Sequence, residues 1–352
     1  MKITGISYER IDLKLTTPYT IAYESVSKVS NFILKVETDT QWAGYGCAAP
    51  DWEVTGETPE MAEEVIRDTI LPYLKGRSPL HYTRILEDLK MQCQESSSVL
   101  AMVDMALLDL ISKKAQMPLY QLLGGYRNSI ATSITIGILG LEDTLKQAKD
   151  YTARGFSILK IKGGLYLEED IEKMIKLREA FPDVVLRFDG NQGYTVKEAI
   201  AFVEATKTVG IQIFEQPTKT KRGKKLGKVT NIVGIPVMAD ESLKTLADAF
   251  RLAQKERIDM VNIKLMKVGG ILEGMHINSV ARAAGLEAMV GCLDECALGI
   301  SAGLHFALSR PNIQFADLDG HLELENDPFQ DLFKLEKGIL YPSTAPGLGF
   351  LE

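Results

Sequence analysis

The first hundred residues contain runs in which apolar and polar positions alternate, followed by stretches with apolar positions at helical spacing. A turn is expected at Thr38 to Gln41. Three strands are predicted around it: Ile3 to Leu15, Phe32 to Glu37 and Trp42 to Cys47. Three helical stretches are predicted next: Glu60 to Lys75, Leu80 to Gln92 and Ser98 to Lys114. Strands followed by helices indicate an α+β unit.

From about residue 130 the pattern changes to short apolar runs that alternate with charged, helix-like stretches. Eight such runs are predicted to be strands: Ile134 to Ile138, Ile158 to Ile161, Val185 to Phe188, Ile213 to Phe214, Val237 to Met238, Met260 to Ile263, Glu287 to Val290 and Ile313 to Ala316. Eight β/α units favour a closed barrel, whose functional face lies at the carboxyl ends of its strands. The tail, Gly320 to Glu352, lacks this alternation and is predicted to pack back on the N-terminal unit.

The bulk composition is that of a globular protein, with 45% hydrophobic and 25% charged residues among 352. This length favours two domains, one of them a large barrel. A formal charge of −7 gives no reason to expect nucleic acid as a partner. One basic run could bind an anion or could be a solvated loop and helix face: Lys219, Lys221, Arg222, Lys224, Lys225 and Lys228.

The cysteines and the N-terminus favour a reducing compartment. Charges interrupt Met1 to Leu15, so no signal peptide is predicted. The apolar segment Ala101 to Ile111 carries Asp104 and Asp109, which argues against a membrane span. The four cysteines form no C-x-x-C pair and have no assigned role: Cys47, Cys93, Cys292 and Cys296. We therefore expect a cytoplasmic protein with no membrane partner.

Charged residues close five of the predicted strands at nearly constant spacing. From Lys162 it is 27 residues to Asp189, 26 more to Glu215, 25 more to Asp240 and 24 more to Lys264. Each step equals one β/α unit, so we expect all five side chains at the same end of the barrel. Lys162 and Lys264 would lie four strands apart in a ring of eight and would therefore face each other across the bore.

Two further features of this set point to metal-assisted chemistry. Lys160 is two residues from Lys162 on one strand, so both side chains should point into the barrel. Asp189, Glu215 and Asp240 lie on three adjacent strands and supply the hard oxygen ligands that suit Mg²⁺, expected once per subunit.

Such a site is suited to removing a proton from a carbon next to a carboxylate. The resulting enediolate carries two negative oxygens, which a metal ion and a lysine would stabilise. The base must be a neutral lysine, and neighbouring Lys160 and the metal are expected to lower its pKa from the usual value of about 10.4. A substrate between Lys162 and Lys264 would lose its proton to one and regain it from the other on the opposite face, which predicts epimerisation or racemisation.

Six segments carry a resemblance to a known family: Pro118 to Gly125 (PLYQLLGG), Leu159 to Lys162 (LKIK), Phe188 to Gly193 (FDGNQG), Phe214 to Pro217 (FEQP), Met238 to Ser242 (MADES) and Asn262 to Gly270 (NIKLMKVGG). On these motifs the chain resembles, from end to end, the muconate-lactonising subgroup of the enolase superfamily, and within it the dipeptide epimerases of the L-Ala-D/L-Glu type. That superfamily is a known example of a lysine base acting with Mg²⁺.

The resemblance implies a fold of the α/β class, a modified TIM barrel of the form (β/α)₇β. The barrel would comprise residues 126–320. An α+β capping domain of residues 1–125 would be completed by the C-terminal segment, residues 321–352. A homo-oligomer is also expected.

The resemblance also implies roles for the charged residues. Two lysines, Lys162 and Lys264, would be the acid and base, and Lys160 would support the substrate carboxylate. The metal ligands would be Asp189, Glu215 and Asp240.

Assignment to the dipeptide epimerases depends on the end of the eighth predicted strand, Ala316-Asp317-Leu318-Asp319-Gly320. In those enzymes such a pair captures the α-ammonium group of a dipeptide, which implies that Asp317 and Asp319 bind substrate. Thr135, on the first barrel strand, is assigned to the same substrate site. Relatives that make o-succinylbenzoate or muconolactone act on substrates without an amine. The alternative for the two aspartates is that they cap a loop.

Substrate choice is expected to depend on the cap loops and on the segment after the seventh strand. The Ala-Glu epimerases carry a basic residue on the first cap loop, where this chain has Glu24. Asp51 on the second cap loop and Asp294 after the seventh strand would add negative charge that attracts a cation. The hypothesis is a dipeptide that contains Lys or Arg, or at least one that is not acidic. The alternative is that these three acids face solvent.

The sequence is also compatible with other functions. The same frame can serve β-elimination or cycloisomerisation, as in o-succinylbenzoate synthase and muconate cycloisomerase, or racemisation of N-acylamino acids. The non-enzymatic alternative is a barrel that has lost activity and only binds a ligand or a partner protein. The presence of both lysines and all three carboxylates argues against it.

Overall fold

The computed structural model of the chain describes residues 1–20, 25–220, 225–256 and 258–350. Within these residues the N-terminal part begins with a three-stranded antiparallel sheet in the order β1, β2, β3. The strands are β1 (Ile3–Thr20), β2 (Ser25–Thr38) and β3 (Ala43–Ala48). The three predicted strands are confirmed, and β1 and β2 are longer than predicted because they pair with each other over most of their length.

The helices of the N-terminal part follow the sheet. They are α1 (Pro59–Val65), α2 (Leu71–Leu74), α3 (Tyr82–Gln92), α4 (Ser97–Lys114) and α5 (Leu119–Leu122). Thr58 begins α1, because its side chain accepts a hydrogen bond from the Met61 amide while Pro59 occupies a first-turn position that needs no amide. The first predicted helix is interrupted by a π-helical turn at Ile66–Ile70, and a 3₁₀ turn at Pro79–His81 precedes α3.

Helix α4 is buried along almost its whole length because it lies between β3 and the barrel. Glycines on β3 permit this close approach. A side chain on Gly46 would overlap the backbone carbonyl of Met102, and one on Gly44 would overlap that of Ala106. The N-terminal sheet is thus packed directly against the backbone of α4.

Gly46→Ala is expected to lower the free energy of unfolding by about 3 kcal/mol, the upper end of the range for overpacked cores, because rigid backbone blocks the added methyl group. Gly140→Ala is the matched control, since no atom lies within 4 Å of its Cβ position. Chemical denaturation measures both variants. Equal stability of the two would contradict the close packing of β3 on α4.

The second part of the described chain is an eight-stranded parallel sheet whose order follows the sequence from β5 to β12. Its strands are β5 (Ile134–Ile136), β6 (Ile158–Lys162), β7 (Val185–Asp189), β8 (Ile211–Glu215), β9 (Val237–Ala239), β10 (Met260–Lys264), β11 (Glu287–Gly291) and β12 (Ile313–Asp317). The ring closes where the Ser133 amide donates to the Ala316 carbonyl at 3.2 Å. All eight predicted strands and the barrel are confirmed.

Helices fill the seven connections between successive barrel strands: α6 (Leu141–Ala153), α7 (Leu167–Ala180), α8 (Val196–Ala205), α9 (Lys225–Thr230), α10 (Leu246–Arg251), α11 (Leu265–Val268), α12 (Ile271–Ala283) and α13 (Ala297–Ser309). A π-helical turn at Leu252–Glu256 extends α10. After β12 the only helical segment among the described residues is a 3₁₀ turn, Gln330–Leu332, so the barrel has the expected (β/α)₇β form. No helix in the described ranges has the length and apolar character needed to cross a membrane.

The bore of the barrel is charged at its mouth and mostly apolar at its floor, where the guanidinium of the buried Arg187 lies over the Phe315 ring. Four side chains from consecutive strands fill the floor, with Phe315 packed against them: Ile213, Met238, Met260 and Met289. Because inward positions alternate along a strand, the next inward residues are Glu215 at the end of β8 and Asp240 directly after β9. Glu215 and Asp240 therefore lie above the packed floor, toward the open end of the barrel.

The C-terminal segment forms a hairpin that was not predicted. Strands β13 (Phe333–Glu336) and β14 (Ile339–Pro342) pair with each other, and β14 pairs with the short strand β4 (Ile130–Ala131) ahead of the barrel. The segment also contacts the N-terminal part, as predicted, where the Leu348 amide donates to Asp109 at 2.8 Å. It therefore connects the segment that precedes the first barrel strand to the N-terminal part.

Candidate active site

A cavity opens at the carboxyl ends of the barrel strands. Nine of the predicted site residues line it: Lys160, Lys162, Lys264, Asp240, Asp317, Asp319, Thr135, Asp51 and Asp294. Asp189 and Glu215 are buried at 1% and 2% exposure and pair with Lys160 just below it. Glu24 lies outside the described residues, as do several members of the basic run between Lys219 and Lys228.

Lys162 and Lys264 approach the cavity from opposite walls. They end β6 and β10, which are four strands apart in the ring of eight. The Lys264 ammonium lies 2.9 Å from Asp240 Oδ2. A small molecule in the cavity would therefore have one lysine on each side.

Lys160 is the centre of the buried charge network. Its ammonium lies 3.1 Å from Asp189 Oδ2, 2.8 Å from Glu215 Oε2 and 2.8 Å from Asp317 Oδ2. Burial lowers the pKa of Lys160, but the charges of Asp317 and then of Glu215 outweigh it and raise the pKa well above its usual value. Lys160 is thus a permanent cation that holds three carboxylates together.

Asp240 is held by two other lysines. Lys264 reaches its Oδ2, and Lys267 on α11 lies 2.5 Å from its Oδ1. Burial raises the pKa of Asp240, yet the charges of Lys264 and Lys267 depress it far below its usual range. Burial lowers the pKa of Lys264, but the charge of Asp240 raises it well above the usual value.

Asp317 and Asp319 line the same cavity but differ in their contacts. Asp317 already accepts hydrogen bonds from Lys160 Nζ at 2.8 Å and from Ser133 Oγ at 2.6 Å. Asp319 accepts the Thr135 amide at 2.6 Å, and the Cys292 thiol lies 3.9 Å from its other oxygen. Burial, then the charge of Asp317, raises the pKa of Asp319 to about 6. Asp319 is therefore the better placed of the two for a ligand in the cavity.

The remaining predicted residues lie toward the N-terminal part. Asp51 follows β3, and its Oδ1 accepts the Val54 amide at 2.7 Å. Asp294 follows β11, and its carbonyl accepts a hydrogen bond from Asn31 Nδ2 at 3.2 Å. Because Asn31 lies on β2, the N-terminal sheet directly positions the loop that carries Asp294.

Comparison with known proteins places the chain in a family. Residues 6–124 match the model described as "Mandelate racemase / muconate lactonizing enzyme, N-terminal domain", and residues 143–351 match "Enolase C-terminal domain-like". The chain belongs to the mandelate racemase / muconate lactonizing enzyme family. The resemblance predicted from the six motifs is confirmed.

Three relatives within this family are similar over their whole length. The L-Lys-D/L-Arg epimerase of Desulforapulum autotrophicum is 41% identical, with 99% of each chain covered. The substrate-liganded L-Ala-D/L-Glu epimerase of Bacillus subtilis has a TM-score of 0.96 at 36% identity, covering 99% of this chain and 98% of that one. The dipeptide epimerase of Methylococcus capsulatus, complexed with Mg and L-Arg-D-Lys, has a TM-score of 0.95 at 35% identity, with both chains fully covered.

Asp189, Glu215 and Asp240 fit a hard divalent cation in ligand type and charge. They are carboxylates at the ends of three adjacent strands of this family member. Burial raises the pKa of Glu215, Lys160 lowers it, and the charges of Asp189 and Asp240 raise it again, to about 7. Among the described residues, no group of three acidic, histidine or cysteine side chains is arranged around a common point at metal-binding distances. Instead, the Lys160 ammonium lies within 3.1 Å of both Asp189 and Glu215.

Three polar residues at the site of this family member had no predicted role. Glu241 is 7% exposed, and its Oε2 has no partner among the described residues. Lys267 is fully buried against Asp240, and Asn262 Nδ2 donates to Glu215 Oε1 at 2.7 Å. All three lie inside the MADES and NIKLMKVGG segments. Their closeness in sequence to the strand ends could have indicated that they belong to the site.

Proposed function

We propose that the chain is a dipeptide epimerase that inverts the α-carbon beside the free carboxylate of its substrate. The observation that carries this proposal is the opposition of Lys162 and Lys264 across one cavity. One lysine removes the α-proton and the other returns a proton to the opposite face, which inverts the carbon. The relatives named as epimerases of dipeptides support this reading over elimination or cycloisomerisation.

Asp189, Glu215 and Asp240 would hold one Mg²⁺ per subunit, as the Mg complex of the Methylococcus relative suggests. When bound, the ion supplies positive charge for the substrate carboxylate as its α-carbon loses the proton. Asp240 would then be shared with a second cation, which weakens its attraction for Lys264 and favours the neutral amine that a base requires. Lys160 would stay charged beside the carboxylate, and Asp319 would receive the α-ammonium group.

The substrate class follows from the charge of the cavity. Its described lining contains seven acids, Asp51, Asp240, Glu241, Asp294, Asp317, Asp319 and Glu323, against three lysines. An acidic side chain would be repelled by this wall, whereas a cationic one would be attracted. We therefore propose dipeptides that contain Lys or Arg, with Asp51 and Asp294 facing the side chain of the epimerised residue.

Steady-state assays on a dipeptide panel test this proposal. We expect kcat/KM for L-Lys-L-Lys or L-Lys-L-Arg to exceed that for L-Ala-L-Glu by about 100-fold, because a close charge pair and the repulsion of the wrong charge together are worth about 3 kcal/mol. Removal of Mg²⁺ by a chelator should abolish turnover, and added Mg²⁺ should restore it. A preference for L-Ala-L-Glu would contradict the proposed substrate class.

Deuterium exchange separates epimerisation from the alternative reactions. In D₂O an epimerase incorporates one deuteron at one α-carbon and gives both diastereomers. A β-eliminase or cycloisomerase gives a product with a new double bond or ring. Formation of such a product, with no exchange into recovered dipeptide, would overturn the assignment.

We propose the boundaries 1–125, 126–320 and 321–352 for the capping domain, barrel and C-terminal segment, a homo-oligomeric assembly, and action in the cytoplasm. The four cysteines, which are all free thiols, support the last of these.

A further inference from the structure

One wall of the cavity has a composition that the proposed chemistry does not use. It lies beside β5 and consists of five side chains: Leu139, Gln147, Tyr151, Leu322 and Glu323. We call these residues the α6 wall, because Gln147 and Tyr151 belong to α6. The wall combines two leucines and an aromatic ring with one carboxylate.

The polar groups of the α6 wall form a chain of contacts. Gln147 Nε2 donates to the Tyr151 hydroxyl at 3.1 Å, and this hydroxyl lies 3.4 Å from Glu323 Oε1. Tyr151 itself is only 4% exposed, so its ring is a fixed part of the wall. Gln147 Oε1 is buried without a hydrogen-bond partner among the described residues. The wall therefore offers an acceptor atom that the protein does not satisfy, next to a carboxylate.

The position of Glu323 is fixed by strand-like pairing with the N-terminal part. The Thr16 amide donates to the Glu323 carbonyl at 2.8 Å, and the Glu325 amide donates to the Lys14 carbonyl at 2.9 Å. Leu324 between them forms a bridge with Leu15 and is buried. This alternation directs Leu324 into the core and leaves Glu323 at the cavity. Backbone hydrogen bonds thus fix the position of Glu323, and its carboxylate contacts the Tyr151 hydroxyl at the cavity.

The order of strands in the ring decides which part of a substrate reaches this wall. In the proposed function, the reacting α-carbon would lie between Lys162 on β6 and Lys264 on β10, and Asp319 after β12 would be the ammonium site. Going round the ring from β12, the next strand is β5, which leads into α6. A dipeptide with its ammonium at Asp319 would therefore direct the side chain of its N-terminal residue toward the α6 wall.

We infer that Glu323, together with Gln147 and Tyr151, forms a specificity subsite for the cationic side chain of the N-terminal residue of the substrate. The methylene stem of Lys or Arg packs on Leu139 and Leu322, and the charged head donates to Glu323 and to Gln147 Oε1. This inference rests on the proposed function and adds a second cation site, separate from Asp51 and Asp294. The substrate would then carry cations on both of its residues.

Glu323→Gln tests the subsite with two substrates that differ only at the N-terminal residue. For L-Lys-L-Lys, kcat/KM should fall at least about 10-fold, because a partly buried charge pair is lost. For L-Ala-L-Lys, kcat/KM should stay within about twofold of wild type. Glu325→Gln is the matched control, since this exposed acid is two residues away on the same segment. It should change neither value.

Calorimetric titration of both dipeptides gives a readout that does not depend on turnover. Glu323→Gln should weaken binding of L-Lys-L-Lys at least about 10-fold and leave binding of L-Ala-L-Lys unchanged. An equal loss for both substrates, or no loss for either, would overturn the subsite. A wild-type protein that binds these dipeptides selectively but exchanges no α-proton would refute the proposed function while leaving the subsite standing.

Discussion

Lys264→Met is expected to abolish epimerisation while leaving proton exchange on one face of the substrate intact. Removal of a positioned acid or base costs up to about 10⁴-fold in rate, so inversion should become undetectable in a steady-state assay. Lys162 would still reach its own face from the opposite wall. In D₂O, the variant should therefore exchange the α-proton of one diastereomer only, measured by mass spectrometry and NMR. Lys162→Met should show the reverse selectivity.

The paired design separates chemistry from folding. Methionine keeps the volume of the stem, and Asp240 retains Lys267 as a partner when Lys264 is replaced. Lys176→Met is the control, because this lysine lies exposed on α7 in an ion pair with Glu179 and should have wild-type activity. If both variants exchanged both diastereomers, a single base would be serving both faces, and the two-lysine mechanism would be wrong.

Much of the fold could be predicted because the barrel repeats one simple pattern. Each strand from β5 to β12 is a short apolar run, and several end in a charged residue that only a strand end at the mouth of the barrel accommodates. The C-terminal hairpin was missed because its two strands are only four residues long, too short for a clear pattern in the local sequence. Such strands form only because β4 offers a partner edge, and pairing between distant segments is not visible in local sequence.

The sequence predicted which side chains lie at the site better than it predicted the ion pairs that they form with one another. Spacing alone indicated that Lys162 and Lys264 would oppose each other, because strand order in a barrel follows chain order. It could not show that Asp317 pairs with Lys160, or that Lys264 pairs with Asp240 and has a raised pKa. These pairings depend on rotamers and on distances of a few ångströms. They decide which groups are available to a ligand.

The same pairings make Lys160 a structural residue as well as a site residue. Its ammonium is the shared counter-ion of Asp189, Glu215 and Asp317, each within 3.1 Å and each nearly fully buried. A buried carboxylate that loses its cation is costly, because low-dielectric surroundings do not solvate the charge. Stability of the barrel mouth should therefore depend on which cation neutralises these acids.

Lys160→Met is expected to lower the free energy of unfolding of the metal-free protein by about 3–5 kcal/mol, the usual loss when one partner of a buried ion pair is removed. Added Mg²⁺ should recover a large part of this loss, because a cation bound by Asp189 and Glu215 replaces the missing charge. Lys113→Met is the matched control: it breaks a buried pair of 2.7 Å with Asp109, remote from the cavity, so Mg²⁺ should not rescue it. Chemical denaturation with and without Mg²⁺ measures both variants. Equal responses of the two to Mg²⁺ would place the ion somewhere other than among these carboxylates.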